Sequence, residues 1–206
     1  MPRRQPSDSR EPVSGDLQRW LEGEGDKTLD ALIKLFGRGS FALLFVILLG
    51  VPALPLPTGG ATHVFEAIAV LLALQLVAGR EEIWLPQRWR QLELAGPRQQ
   101  RFLNGLMKLI RWLERFSRPR LHFLFDHRLT DVVFGLLVIV LSVAAFVAPP
   151  FSGLDTLPSL GAVLLSLGVL LEDALVVGAA IVVGVAGIVL EIILGSAAVN
   201  GISSLF

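Results

Sequence analysis

The sequence predicts an all-α membrane protein with two internal repeats, each a surface helix followed by a Pro/Gly-broken, re-entrant helical hairpin, and a C-terminal transmembrane helix after them. Three observations carry this expectation. Hydrophobic residues are 53% of the 206 and charged residues 17%, with a mean hydropathy of +0.65, far more apolar than a soluble domain of this size. The apolar residues lie in long uncharged runs, not in the alternating segments of half-buried strands. The order of apolar run, Pro/Gly break and apolar run then occurs twice.

Residues 1–14 are polar and read as a disordered tail without the short apolar core of a signal peptide. In the region 15–79, the stretch from Leu17 to Phe36 spaces Leu29, Leu32, Ile33 and Phe36 as an amphipathic helix on the membrane surface. Gly39 to Phe65 then lacks Asp, Glu, Lys and Arg but is interrupted by Pro52, Pro55, Pro57, Gly59 and Gly60, and after Glu66 the chain is uncharged to Gly79. That is a first hairpin. Residues 80–131 are rich in Arg and Lys and contain Trp84, Trp89 and Trp112. Within them Phe102, Leu106, Leu109, Ile110, Leu113 and Phe116 share one stripe, as in an interfacial helix with aromatic anchors. The region 132–206 supplies the second hairpin, with its break at Pro149, Pro150 and Gly153 and its second arm ending at Leu171. A last apolar run from Ala174 to Leu190 follows Glu172 and Asp173.

Shifting the chain by 93 residues places Leu43, Leu44 and Leu48 on Leu136, Leu137 and Leu141, Pro57 on Pro150, and Gly60 on Gly153. AVLLAL at Ala69 to Leu74 falls on AVLLSL at Ala162 to Leu167. Leucine matches are cheap in such a chain, whereas aligned Pro and Gly breaks are not. An arm of about 16 residues reaches about 24 Å against a hydrocarbon core of about 30 Å, so the arms suit re-entrant elements. Small residues recur every fourth position at Ala69 and Ala73, and at Ala162 and Ser166, which permits close helix contact. Ala180, Gly184 and Gly187 repeat the device on a face that also carries Glu191. All cationic residues lie at or before Arg128, so the N-terminus and the basic middle segment are expected in the cytoplasm of a multi-pass protein.

Eighteen Lys plus Arg balance eighteen Asp plus Glu, which gives no basic field for nucleic acid. Without cysteine, and with three scattered histidines, the chain has no signature of a metal site, and no cofactor is expected. Neither a Gly-x-Ser-x-Gly elbow nor a phosphate loop is present, so no catalytic residues are assigned; an intramembrane acid/base enzyme on His63 and Asp155 is the enzymatic alternative. Polar groups instead gather at the breaks. Thr58, Gly59, Gly60, Thr62, His63 and Glu66 fall in the first, and Ser152, Gly153, Asp155, Thr156 and Ser159 in the second, with Thr62 aligned to Asp155 and His63 to Thr156. Ionisable groups in apolar segments mark a solute or ion pathway by default, because an isolated charge there costs about 2.5–3.5 kcal/mol. The plainer readings are helix caps for Thr62 and Asp155, a packing pair for His63 and Glu66, a solvated turn for Glu172 and Asp173, and an interhelical hydrogen bond for Gln75.

The P-x-P-T-G break, the ALQL helix ending in Gly79-Arg80 with Trp84-Leu85-Pro86 beyond it, and the second break leading into LPSLG and an acidic pair resemble the ExoD family. The resemblance covers about residues 28 to 195. Where that family commonly has a Glu-Arg-Asp-Gly-like turn, this chain has Glu172-Asp173-Ala174. The resemblance implies a bacterial inner-membrane protein associated with exopolysaccharide production, and it supplies no reaction. The expected function is transport of a small solute or ion through Thr58, Gly59, Gly60, Thr62, His63, Glu66, Asp155, Thr156 and Ser159. The alternative is a non-catalytic accessory protein in exopolysaccharide production, export or envelope assembly. The expected partners are the lipid bilayer and a second copy of the chain.

Overall fold

The computed structural model describes residues 12–23, 25–54, 62–80, 82–94, 96–116, 128–149 and 152–203. Among them the regular elements are helices: α1 (Val13–Glu22), α2 (Leu29–Phe36), a 3-10 turn (Gly37–Gly39), α3 (Ser40–Leu49), α4 (Thr62–Val77), α5 (Gln87–Arg90), α6 (Pro97–Phe116), α7 (Arg128–Val147), α8 (Thr156–Leu170) and α9 (Ala174–Ser203). The chain divides into two compact units, one holding the described residues up to Leu35 and from Pro86 to Phe116, the other Phe36 to Leu85 and the described residues from Arg128 onward.

In the first unit α1 packs on α6. Leu17 meets an apolar side of α6 on which Leu103, Leu106, Ile110 and Leu113 are buried. Glu114 on α6 accepts hydrogen bonds from Ser14 N–H (3.0 Å) and Ser14 Oγ (2.5 Å), using the first turn of α1 as an anion-seeking helix end. Arg111 donates to Gln18, a pair again 93 residues apart. The single amphipathic helix expected from Leu17 to Phe36 is two helices. α1 stops at Gly23, whose extended backbone ends it, and Leu29 N–H donates instead to Leu92 O (3.1 Å) beside a Thr28–Glu93 bridge. The stripe expected on α6 is also shifted: Leu103 is buried where Phe102 is only partly so, and Leu109 faces outward with Trp112. α6 carries apolar residues on more than one side, and the contact with α1 selects which side turns inward.

The second unit contains α3, α4, α7, α8 and α9. α8 and α9 form an antiparallel pair held by small residues: a Cβ on Gly161 would stand 2.6 Å from Gly184 Cα, and one on Gly187 would stand 2.8 Å from Pro158. α4 packs on α7, where a Cβ on Gly135 would meet Ala73 O at 3.2 Å. α3 packs on α8 and α4, and α7 also packs on α8. Exchanging α3 with α7 and α4 with α8 leaves this set of neighbours unchanged. The stripe residues Ala69, Ala73, Ala162, Ser166 and Ala180 are all fully buried.

Arg128–Val147 and Ala174–Ala197 are long and apolar enough to cross a membrane; α3, α4 and α8 are shorter apolar helices. Outward-facing positions of α4, α7 and α9 are mostly apolar, among them Leu71, Leu74, Val133, Val140, Val185 and Ile192. That surface suits lipid and would be a large apolar patch in water. α9 runs on to Ser203, past the apolar run that ends at Leu190, so Glu191 lies inside the helix. A continuous helix keeps every backbone group bonded past one acidic residue.

Candidate functional site

The start of α4 and the start of α8 lie side by side. Thr62, the first residue of α4, is buried, and its Oγ1 donates a long hydrogen bond of 3.4 Å to Asp155 Oδ2. Asp155 occupies the N-cap position of α8 with helical backbone angles and makes no side-chain cap; its carboxylate is turned to Thr62 instead. The capping reading of Asp155 is therefore replaced by a contact between the two breaks.

One turn into α4, Glu66 is 0% exposed. Its Oε2 is 2.8 Å from His63 Nδ1, the three-residue spacing placing both on one helix face. Glu66 Oε1 is buried without a hydrogen-bond partner. His63 is 22% exposed and its ring lies 5.2 Å from that of Phe146 on α7. One turn into α8, Ser159 is likewise fully buried with an unpartnered Oγ, and Ser142 on α7 shares that condition. Glu191 reaches this level because Gly187, one turn earlier on α9, is seated against Leu157 and Pro158 at the head of α8.

Of the residues expected at the site, Thr62, His63, Glu66, Asp155 and Ser159 are thus gathered at the heads of α4 and α8. Thr156 opens α8 with its N–H bonded to Gly153 O at 3.3 Å. Thr58, Gly59 and Gly60 lie outside the described residues. Ser152 and Gly153 are exposed, and Ser152 Oγ serves its own turn, donating to Pro149 O (2.6 Å) and accepting from Leu154 N–H (3.2 Å). Ser142 was not singled out in the sequence, where its signal is a lone hydroxyl in the apolar run of α7. No group of three or more His, Cys, Asp or Glu with the arrangement of a metal site occurs among the described residues.

Two other polar groups have different roles from those expected. Gln75 does not bridge helices; its amide clamps the loop beyond α4, with Oε1 accepting from Trp84 N–H (2.8 Å) and Nε2 donating to Trp84 O (3.2 Å). Asp173 is not in a solvated turn. It is buried and caps α9, its Oδ1 accepting from Leu175 N–H (2.7 Å) and Val176 N–H (3.4 Å).

A family model described as "Exopolysaccharide synthesis, ExoD" matches residues 13–193. The chain belongs to the ExoD family. The match starts at α1, earlier than the resemblance at residue 28, and takes in both units and both breaks. Protein ExoD of Rhizobium meliloti is 33% identical over 174 residues, which cover 83% of this chain and 71% of that protein. The uncharacterized protein slr1875 of Synechocystis sp. is 29% identical over 145 residues, 70% of this chain and 68% of that protein. No solved structure matches the chain. ExoD membership links the chain to exopolysaccharide synthesis.

Proposed function

We propose that the protein is a multi-pass component of the bacterial inner membrane that serves exopolysaccharide synthesis by moving a small solute or ion through the centre formed at the heads of α4 and α8. The observation that carries this reading is Glu66: a carboxyl fully enclosed by apolar helices, paired on one oxygen with His63 and unpartnered on the other. Enclosing such a group is expensive unless a proton, ion or polar solute visits it. The two halves of the membrane unit are read as a tandem repeat. Thr62 with Asp155 and Glu66 with Ser159 are matched by the same offset, and the neighbour pattern of α3, α4, α7 and α8 is unchanged by their exchange. A two-fold arrangement of this kind puts the heads of α4 and α8 beside its axis, where a shared binding centre belongs. The basic segment between the halves is placed in the cytoplasm together with the N-terminus. The centre is non-catalytic in this reading.

The test is flux in vesicles containing the purified protein alone. Wild-type protein is expected to move a small ion, amino acid or organic anion, with His63→Ala and Asp155→Asn each lowering the rate strongly. Leu71→Ala, on the outward face of α4, is expected to keep it. The family's link to exopolysaccharide synthesis favours a second reading, a non-catalytic accessory protein for the synthesis or export machinery. Absence of flux for every such solute, with the chain still required for polysaccharide in cells, would establish that reading in place of the first.

A further inference from the structure

We propose that the ion handled at this centre is a proton, and that Glu191 on α9 is a protonation station beside Glu66, with Asp155 and Thr62 between them. The inference rests on the passage reading above and adds to it the identity of the ion and a residue from outside the repeated halves. Three observations carry it. Glu66 Oε1 has no partner in a fully buried setting, so an ionised carboxylate there is half compensated, whereas a protonated carboxyl is neutral. The 2.8 Å His63–Glu66 contact accepts a proton on either side: imidazole N–H donating to carboxylate, or carboxyl O–H donating to a neutral ring. Ser159 Oγ, one turn from Asp155 on the same helix and buried without a partner, is a spare donor and acceptor at the same place.

The spacing favours a proton over a metal ion. The carboxyls are strung from α4 through α8 to α9 and do not converge as a metal site among the described residues, whereas a proton needs only successive groups. The chain reads His63, Glu66, Asp155, Glu191, with the Thr62 hydroxyl bonded to Asp155 and with Gly187, one turn before Glu191, seated against Leu157 and Pro158 at the head of α8. The other charged groups on the packed helices, Asp131 and Arg128, lie at the opposite end of α7, where the Arg128 guanidinium stands over Gly79 at the tail of α4. α3 contributes no ionisable group.

Infrared difference spectroscopy across a pH titration of the purified full-length chain tests the stations directly, and proton uptake into vesicles of phosphatidylethanolamine and phosphatidylglycerol tests their use. The expected result is a set of carboxylic-acid C=O bands of which Glu66→Gln removes one and Glu191→Gln another. In the vesicles Glu191→Gln should lower proton uptake at least about tenfold and Glu191→Asp should restore most of it. Bands unchanged by both substitutions overturn the proposal. So does solute flux that proceeds at the same rate at every pH without such bands, a result that leaves the passage itself standing. Bands that disappear as expected in a protein that moves nothing support the protonation stations and remove the passage reading.

Discussion

Gly79 shows how much one residue fixes at the tail of α4. Its φ of +79° is left-handed backbone, and the Arg128 guanidinium lies where a Cβ would be, 2.8 Å from Nη2. Gly79→Ala is therefore expected to cost about 1–2 kcal/mol from backbone strain, with the displaced arginine adding to it, read as a lower midpoint of thermal unfolding in detergent. Asp173 offers a second measurement. Asp173→Ala removes the cap of α9 and should destabilise by about 1 kcal/mol or more, while Asp173→Asn, which keeps an acceptor oxygen, should lose less. The acidic pair at this turn was legible as a turn, but not which member faces inward. Glu172 takes the left-handed backbone (φ 53°), and Asp173 beside it is buried. Gln75 was legible as a hydrogen-bonding group in an apolar helix; its partner is loop backbone, and backbone partners leave no mark in a sequence.

Elements were read best where small residues recur at helical spacing. The stripes at Ala69/Ala73, Ala162/Ser166 and Ala180/Gly184/Gly187 all became buried contact faces, because close helix approach leaves no room for larger groups. Two glycines of the α8–α9 pair separate packing from propensity. Gly161→Val should push the helices apart and lose about 1–3 kcal/mol, since its Cβ would stand 2.6 Å from Gly184 Cα. Gly178→Ala, with nothing within 4 Å, should gain about 0.5–1 kcal/mol from helix propensity. Unfolding midpoints of the two variants moving in the same direction would contradict the packing described. Boundaries were less legible. The break between α1 and α2 follows from Gly23 and from a pairing of Thr28 with Glu93, a partner too distant in sequence for periodicity to register.

At the scale of the whole chain, the 93-residue offset was visible as matched breaks, and the structure adds that Thr62 and Asp155 touch. What the offset did not reveal is the place of α9. Its seating on α8 through Gly161, Gly184 and Gly187 brings Glu191 toward the head of that helix. Topology is open to a simple check because the chain has no cysteine. A cysteine at Gln99, exposed on α6, should resist an impermeant thiol reagent in intact cells and react once the membrane is permeabilised. Labelling in intact cells would reverse the orientation. Whether the buried polar centre serves exopolysaccharide synthesis is decided by polysaccharide output from cells in which this chain is replaced by Glu66→Gln/Asp155→Asn at equal membrane abundance. Output is expected to fall to the level of cells lacking the chain, and normal output from the double variant would contradict a role for the centre.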